Sequence, residues 1–496
     1  MIMKNRCNIK YILLSVALCW GGSNVSNASV LSQGLTAFEK DSSVKTSSSE
    51  NGVSEDYSFD ENSWRSIFVD AQLQALIERG LKHNTDLNVA RLRIDQAEAS
   101  FKVSRLANLP SMAFSPTAGI SSFDGGKAVK TYSLPLQASW QVDIFRRLKN
   151  AKMQQKMLME GSKAYEQAVQ VNLIANIARS YYQCALLDAQ LSLANQSVSL
   201  WDETVRAMKV FMEEGQYTDA AVSQAEASRE LVKTTALDLQ QQMREMVNNI
   251  RVLVGDSTNS VSLTFDAIDL NGNRSQLQRA SKPIETTFEA NFKNDGRNYA
   301  LFSNGINLDA TQAIPLSKLS NRPDVRQAEM NLAASVYATK ESKAAFYPSL
   351  TLSGSAGWTN SSGMIVNPGK MLVEAIASLT QPIFQNGRLK ADLAIKKSQQ
   401  EEARLQFQQA LLNAGVEVNN ALTAAQTYND KSALLDNQAK SLERTVKSTR
   451  LLQQNGSSNY LEVLTAQENL LSAQMSRLEN EYNKVATQIA LYQAMP

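Results

Sequence analysis

The side chains that most often do chemistry are scarce in this sequence, and their spacing joins none of them into a reactive set. There is one histidine, His83, and there are three cysteines, Cys7, Cys19 and Cys184. A metal centre needs several such ligands at short intervals, and a nucleophilic triad needs a histidine beside its nucleophile. His83 ends an amphipathic stretch and reads as a helix-face residue. Cys184 falls on an apolar helical stripe and reads as a small buried side chain. No catalytic constellation, metal or cofactor follows from these residues, so an enzyme is not the expectation. The 50 Lys and Arg and 48 Asp and Glu are interspersed, for a formal charge of +2, and nothing in that pattern suggests a nucleic-acid partner.

The cysteine that remains as a reaction candidate is Cys19, through its position. Lys4, Arg6 and Lys10 precede the apolar run Tyr11 to Leu18, which is the layout of a secretion signal. That run is too short to cross a bilayer, which takes about 20 residues. Two processing events fit. Cleavage after Ser26-Asn27-Ala28 gives a signal of residues 1–28. Alternatively, the signal ends before Cys19 and the cysteine carries a lipid, although Leu18 stands where lipoprotein signals usually have a small residue. Residues 29–62 are rich in Ser, Asn, Asp and Glu and read as a flexible leader.

The rest of the chain says one thing twice. Asn84-Thr85-Asp86-Leu87 opens a helical pattern that closes at Pro110-Ser111, and Arg322-Pro323-Asp324-Val325 opens one that closes at Pro348-Ser349, an offset of 238. Past each Pro-Ser the hydrophobic period changes from helical to two, runs through a hairpin, and stops at Asp143-Ile144-Phe145 or Pro382-Ile383-Phe384. Gly215 and Gly456 each follow, ten residues before an alanine (Ala225, Ala466). The ordered repeat predicts two structural units, 63–255 and 316–496, joined by a linker at 256–315. It predicts strand hairpins at about 112–142 and about 349–382. Alternation is clean in Met112, Phe114, Ala118 and Ile120, in Tyr132 to Val142, and in Leu350 to Trp358; it is weaker from Met371 to Gln381. Runs of about ten residues with one apolar face suit either tilted membrane strands or an ordinary half-buried sheet.

The helices must position those strands. Ser162 to Glu214 contains neither proline nor glycine, and its stripe Ile174, Ile177, Tyr181, Cys184, Leu187, Leu191, Ala194 and onward to Met212 steps by threes and fours, the seam of a coiled coil. Leu389 to Asn455 repeats the pattern, broken only by Gly415, and a partner helix follows with Leu471, Met475, Leu478, Tyr482, Val485, Ile489 and Tyr492. A helix of 60 to 70 residues is about 100 Å long, far beyond a globular domain, and has to lie in a bundle or tube. Four strands cannot close in lipid, because a membrane barrel takes about eight or more. Several chains must therefore combine; three would give twelve strands, while two or four would also close.

At this point the sequence resembles the TolC-like outer-membrane factors, the exit channels of tripartite efflux and type I secretion systems, and most of all their multidrug-efflux branch. The resemblance is carried by Trp64-x3-Phe68-x-Asp70, Asn84-x-Asp86-Leu87, Arg322-Pro323-Asp324-Val325, Phe346-Tyr347-Pro348-Ser349-Leu350, Gln381-Pro382-Ile383-Phe384-x2-Gly387 and Tyr460-Leu461-x-Val463-Leu464-x-Ala466-Gln467. It spans about Trp64 to Tyr492. It implies a mainly α fold with β: a homotrimer whose twelve-stranded β-barrel in outer-membrane lipid continues into a twelve-helix periplasmic α-barrel. It implies a passive duct for small molecules, fed by an inner-membrane pump of the RND type through a periplasmic adaptor protein, with no cofactor. Members of the branch often carry a lipid on an N-terminal cysteine, which sets lipidation of Cys19 level with simple cleavage despite Leu18. Residues 256–315, rich in Asn, Ser and Thr, would enlarge the equatorial belt or be partly disordered, and the short C-terminal tail would add little to the belt.

The same resemblance places the periplasmic tips, where the adaptor docks and an iris of polar contacts closes the duct, at Gly215 and Gly456. Gate candidates are Glu213, Glu214 and Asp219 near the first turn and Lys447 and Arg450 near the second, with Lys447 or Arg450 pairing to an acid. Solvated helix ends would show the same charges. Ser457-Ser458-Asn459 stands where relatives often carry an acid, which weakens the expectation of an acidic ring there. A type I protein-secretion outlet and a periplasmic coiled-coil scaffold without a pore are the other two classes that long paired helices allow.

Overall fold

The computed structural model describes residues 63–122, 128–256, 306, 319–360, 370–454 and 460–494, all within the compact unit Phe59–Pro496. The signal, the leader, Cys19, most of 256–315, and Gly456 with its neighbours Ser457 to Asn459 lie outside the described residues. Three short or medium helices come first: α1 Ser63–Ile67, α2 Ala71–His83 and α3 Thr85–Leu106. The first hairpin is β1 Ser111–Phe114, β2 Thr117–Ser121 and β3 Val129–Val142, and the helices α4 Arg147–Glu213 and α5 Asp219–Val254 follow. The second unit repeats this with α6 Pro323–Ala344, β4 Ser349–Thr359, β5 Lys370–Thr380, α7 Arg388–Gln454 and α8 Tyr460–Ala494.

The repeat read from sequence is a repeat of lengths. The rising helices α3 and α6 are both 22 residues, the long helices α4 and α7 both 67, and their partners α5 and α8 are 36 and 35. At 1.5 Å per residue the long helices reach about 100 Å. In their upper parts the helices lie side by side as α3, α4, α6, α7; lower down, α5 and α8 replace α3 and α6, giving α5, α4, α8, α7. The predicted stripe is the seam: Ile174, Ile177, Tyr181, Cys184, Leu187, Leu191, Ala194, Trp201, Val205 and Met208 are all buried. The long helix begins earlier than the proline- and glycine-free stretch suggested, at Arg147, and carries Gly161 within it. A Cβ at that glycine would meet Met330 of α6, so the small residue lets α6 lie close.

Equivalent residues tie each rising helix to a descending one. Asn84 caps α3, its Oδ1 accepting from the Leu87 N–H at 3.0 Å, while its Nδ2 donates to the Leu253 carbonyl at the end of α5 at 2.9 Å. Arg322, 238 positions later, precedes α6. Its guanidinium donates to Asp324 at 3.1 and 2.8 Å and to Glu417 on α7 at 2.8 Å. The arginine is 5% exposed, and paired carboxylates are what make such burial tolerable.

The strands form one antiparallel sheet in the order β1-β3-β4-β5, with β2 also on β3. β1 and β2 share a single register against β3, Ser111 opposite Ser139 and Thr117 opposite Ser133. They are one strand interrupted at Ser115-Pro116, because a proline has no N–H to give the ladder.

Candidate functional site: the amphipathic sheet and the helix tips

The register sorts every strand residue onto one of two faces. One face carries Met112, Phe114, Ala118 and Ile120 of β1 and β2 and Tyr132, Leu134, Leu136, Ala138, Trp140 and Val142 of β3. It continues with Leu350, Leu352, Ala356 and Trp358 of β4 and Met371, Val373, Ala375, Ala377 and Leu379 of β5. No charged residue interrupts those positions, and Lys130 stands only at the end of the face, beyond Tyr132. The side chains stand open: Met112 is 73% exposed, Phe114 62%, Val373 68% and Leu379 68%. The opposite face presents Ser115, Thr117, Thr131, Ser133, Gln137, Ser139, Gln141, Thr351, Ser353 and Ser355. A half-buried sheet packs its apolar face on a core. Among the described residues this one packs its apolar face on nothing, the arrangement a lipid-facing wall requires. The register also corrects the weak alternation seen in β5: its odd positions continue the apolar face, and Leu372 and Ile376 merely place apolar residues on the other face beside Glu374.

The sheet depends on one close approach that sequence reasoning missed. Pro135 of β3 lies opposite Gly357 of β4, and a Cβ at Gly357 would collide with the Leu134 carbonyl oxygen and the Pro135 Cα. The wall can be continuous across the two repeats because position 357 has no side chain. Among the described residues no helix is long and apolar enough to cross a membrane.

At the far end of the long helices, Gly215 is where the first tip turns. Its φ of 76° ends α4, with the Gly215 N–H bonded to the Met212 carbonyl and the Gln216 N–H to the Phe211 carbonyl, the double closure that a left-handed residue permits. Thr218 then caps α5 by accepting from the Ala221 N–H at 3.3 Å. Between them stands Tyr217, which the sequence did not single out. Its ring meets Phe211 and Tyr460 edge-on at 5.8 and 5.5 Å, and its hydroxyl accepts from Gln453 Nε2 at 3.0 Å. Tyr217 therefore ties the first tip to both helices of the second hairpin. A tyrosine next to a tip glycine was the available signal, but its partners in the second hairpin are distant in sequence.

The predicted gate residues are not brought together. Glu213 ends α4, Glu214 caps it and Asp219 opens α5; no ion pair among the described residues uses them. Asp219 does sit in the first turn of its helix, where a negative charge suits the dipole. Lys447 lines a shallow groove along α7 with Asn437, Lys440, Ser441, Glu443 and Arg444, and Arg450 is half-buried. The ion pairs that bind the first hairpin run higher up: Lys209 to Glu226 at 2.7 Å, and Arg229 and Lys233 to Asp202 at 3.6 and 4.0 Å. The hydrogen bond from Lys209 holds the Glu226 carboxyl below its usual range.

Comparison with known proteins agrees with this geometry. The model of the family described as outer membrane efflux protein matches residues 76–256 and 315–495, one match per repeat. The cation efflux system protein CusC of Escherichia coli is 27% identical over 441 residues, spanning 87% of this chain and 88% of that one. The probable outer membrane lipoprotein SilC of Salmonella typhimurium is 25% identical over 443 residues, 88% of each. A crystal structure of CusC matches with a TM-score of 0.75 at 25% identity over 87% of this chain and 93% of its own. The open state of the MtrE channel of Neisseria gonorrhoeae matches with a TM-score of 0.73 at 23% identity over 87% and 90%, a likeness of fold. With both repeats matched and an exposed apolar wall set above paired 67-residue helices, the chain belongs to the outer membrane efflux protein family and is a subunit of an outer-membrane efflux channel.

Proposed function

We propose that three copies close the sheet into a twelve-stranded barrel in the outer membrane, continuous with a twelve-helix tunnel in the periplasm. The observation that carries this reading is the pair of open edges. Among the described residues, β1 with β2 at one side and β5 at the other have no strand partner beyond β3 and β4, and an unpaired edge cannot lie in lipid. The helical layer is open in the same way: Leu231 and Leu237 on α5 are 65% and 64% exposed, and Leu434 on α7 is 69% exposed. Four strands abreast and four helices abreast per chain give twelve of each from three chains.

Such an assembly is a passive exit duct. Its polar wall of serine, threonine and glutamine has little capacity to discriminate, so an inner-membrane pump of the RND type selects the cargo and a periplasmic adaptor grips the tips at the Gly215 and Gly456 turns. Relatives at 25–27% identity are named for cations, for toluene and for antibiotics, which supports one duct serving many pumps. Units 63–255 and 316–496 are the two staves of each subunit, joined by residues 256–315, and Cys19 carries the lipid, as the name of SilC supports. Native mass measurement of protein extracted from outer membranes tests the assembly: three chains per particle is expected, and a monomer or dimer overturns it. Metabolic labelling with a radiolabelled fatty acid tests Cys19, with label lost in Cys19→Ala.

A further inference from the structure

The foot of the sheet contains an aromatic stack between the repeats and two surfaces that correspond to it in sequence. Phe145, in the link from β3 to α4, stacks on Tyr347, in the link from α6 to β4, with ring centroids 4.9 Å apart and planes 12° from parallel. This contact closes the lower end of the seam where β3 pairs with β4, beside Val142 opposite Leu350. It joins the last strand of the first repeat to the first strand of the second.

Each partner has a counterpart in the other repeat. Leu109-Pro110-Ser111 corresponds to Tyr347-Pro348-Ser349, and Pro382-Ile383-Phe384 corresponds to Asp143-Ile144-Phe145. Within the chain these counterparts sit at the outer ends of the sheet, below the open edges of β1 and β5. Phe384 is 82% exposed, Ile383 98% and Leu109 59%. A second difference concerns the link itself. Two residues carry the chain from Phe145 to the first residue of α4 at Arg147, whereas four carry it from Phe384 to Arg388, with Asn386 and Gly387 at φ 48° and 77°.

We propose that Phe384 of one subunit packs on Leu109 of the next copy of this chain, a clasp at the foot of the barrel equivalent to the Phe145–Tyr347 stack inside each subunit. The inference rests on the trimeric reading given above and assigns the occupant of an apolar surface that the single chain leaves bare. The occupant is a second copy because the repeat already shows what such a surface meets: the residue before Pro-Ser of the adjoining repeat. Leucine in place of tyrosine keeps the apolar contact and gives up ring stacking, so the clasp between subunits is the weaker of the two.

The test uses the full chain in outer membranes, carrying Leu109→Cys and Phe384→Cys together and treated with a short bis-maleimide. Covalent dimers and trimers are expected from the pair and not from either single variant, which controls for Cys184 and Cys19. Native particles of three chains that give no covalent product overturn the clasp while leaving the trimer standing; particles that are not trimers overturn both. Quenching by lipid-borne nitroxide of a fluorophore attached to the Phe384→Cys variant would assign the surface to lipid and also overturn it. Should the paired variant not reach the outer membrane, Phe384→Ala decides: trimers that dissociate in detergent at a lower temperature than the parent support the clasp, and an unchanged temperature overturns it.

Discussion

Tyr181 donates its hydroxyl to Asp70 Oδ2 at 2.8 Å, and the other oxygen of that carboxylate caps α2 by accepting from the Gln72 and Leu73 N–H groups at 2.7 and 3.2 Å. One aspartate thus fixes the start of a short helix and binds it to the middle of a 67-residue one. Burial, with the Asp70 charge and hydrogen bond adding to it, pushes the Tyr181 hydroxyl far above its ordinary range, so it remains a donor at any physiological pH. Removing it in Tyr181→Phe leaves a carboxylate oxygen unpaired and should cost about 1–3 kcal/mol. The adjacent Tyr182 hydroxyl is fully buried and has no partner among the described residues, so Tyr182→Phe should be neutral or stabilising. Thermal dissociation of the purified assembly measures both; equal losses from the two variants would contradict the assignment.

Gly357→Ala should prevent assembly. The new methyl group has no room against Leu134 and Pro135, so β3 and β4 must part at the middle of their ladder. Gly119→Ala is the control, because its added carbon meets only the Thr131 Oγ1 at 3.2 Å, the end of a side chain that can rotate. Outer-membrane fractionation should show loss of the first variant and retention of the second.

The fold was legible where a local rule governs it. Asn84 and Pro323 mark helix starts because capping and a fixed φ act within one turn, and period-two alternation found the strands because the pleat itself has that period. The long helices were legible from their uninterrupted stripe, although Gly161 hid the start of α4: a glycine that admits a neighbouring helix looks the same in sequence as one that breaks a helix. What stayed hidden depends on distant partners. Nothing local to Arg322 points to Glu417, nothing near Tyr217 points to Gln453 or Tyr460, and Gly357 gained its meaning only from Pro135 across the seam. The tip charges were visible as charges, but no local spacing rule says which of them meet.

Asp188 gives the helical layer a pH dependence. It is 4% exposed, one carboxylate oxygen has no partner among the described residues, and burial raises its pKa from 3.8 to about 6. Because the folded value lies above the unfolded one, the folded state holds the proton more tightly. The stability this confers is complete below about pH 4 and is lost as the pH rises through about 6. Asp188→Asn should abolish that dependence and raise stability above about pH 6 by up to about 3 kcal/mol, at about 1.36 kcal/mol for each pKa unit. Melting curves between about pH 4 and 8 that stay parallel for parent and variant would contradict it.

The tips should respond to charge at α7. Lys447 is exposed and Arg450 half-buried, near the end of the long helix α7. A single exposed pair is worth about 0–1 kcal/mol, so a gate needs both positions. Lys447→Glu with Arg450→Glu should enlarge single-channel conductance several-fold, whereas either change alone should have a small effect. Unchanged conductance in the double variant would remove these residues from the gate.

The central claim is that three of these chains enclose one water-filled path through the sheet and down the helices. Conductance across a planar bilayer, recorded with trimers purified from outer membranes, tests it most directly. The account predicts discrete current steps of uniform size for each inserted particle, larger in the double charge reversal. Intact trimers that insert yet leave the current at baseline, in the parent and in the double variant alike, would contradict it.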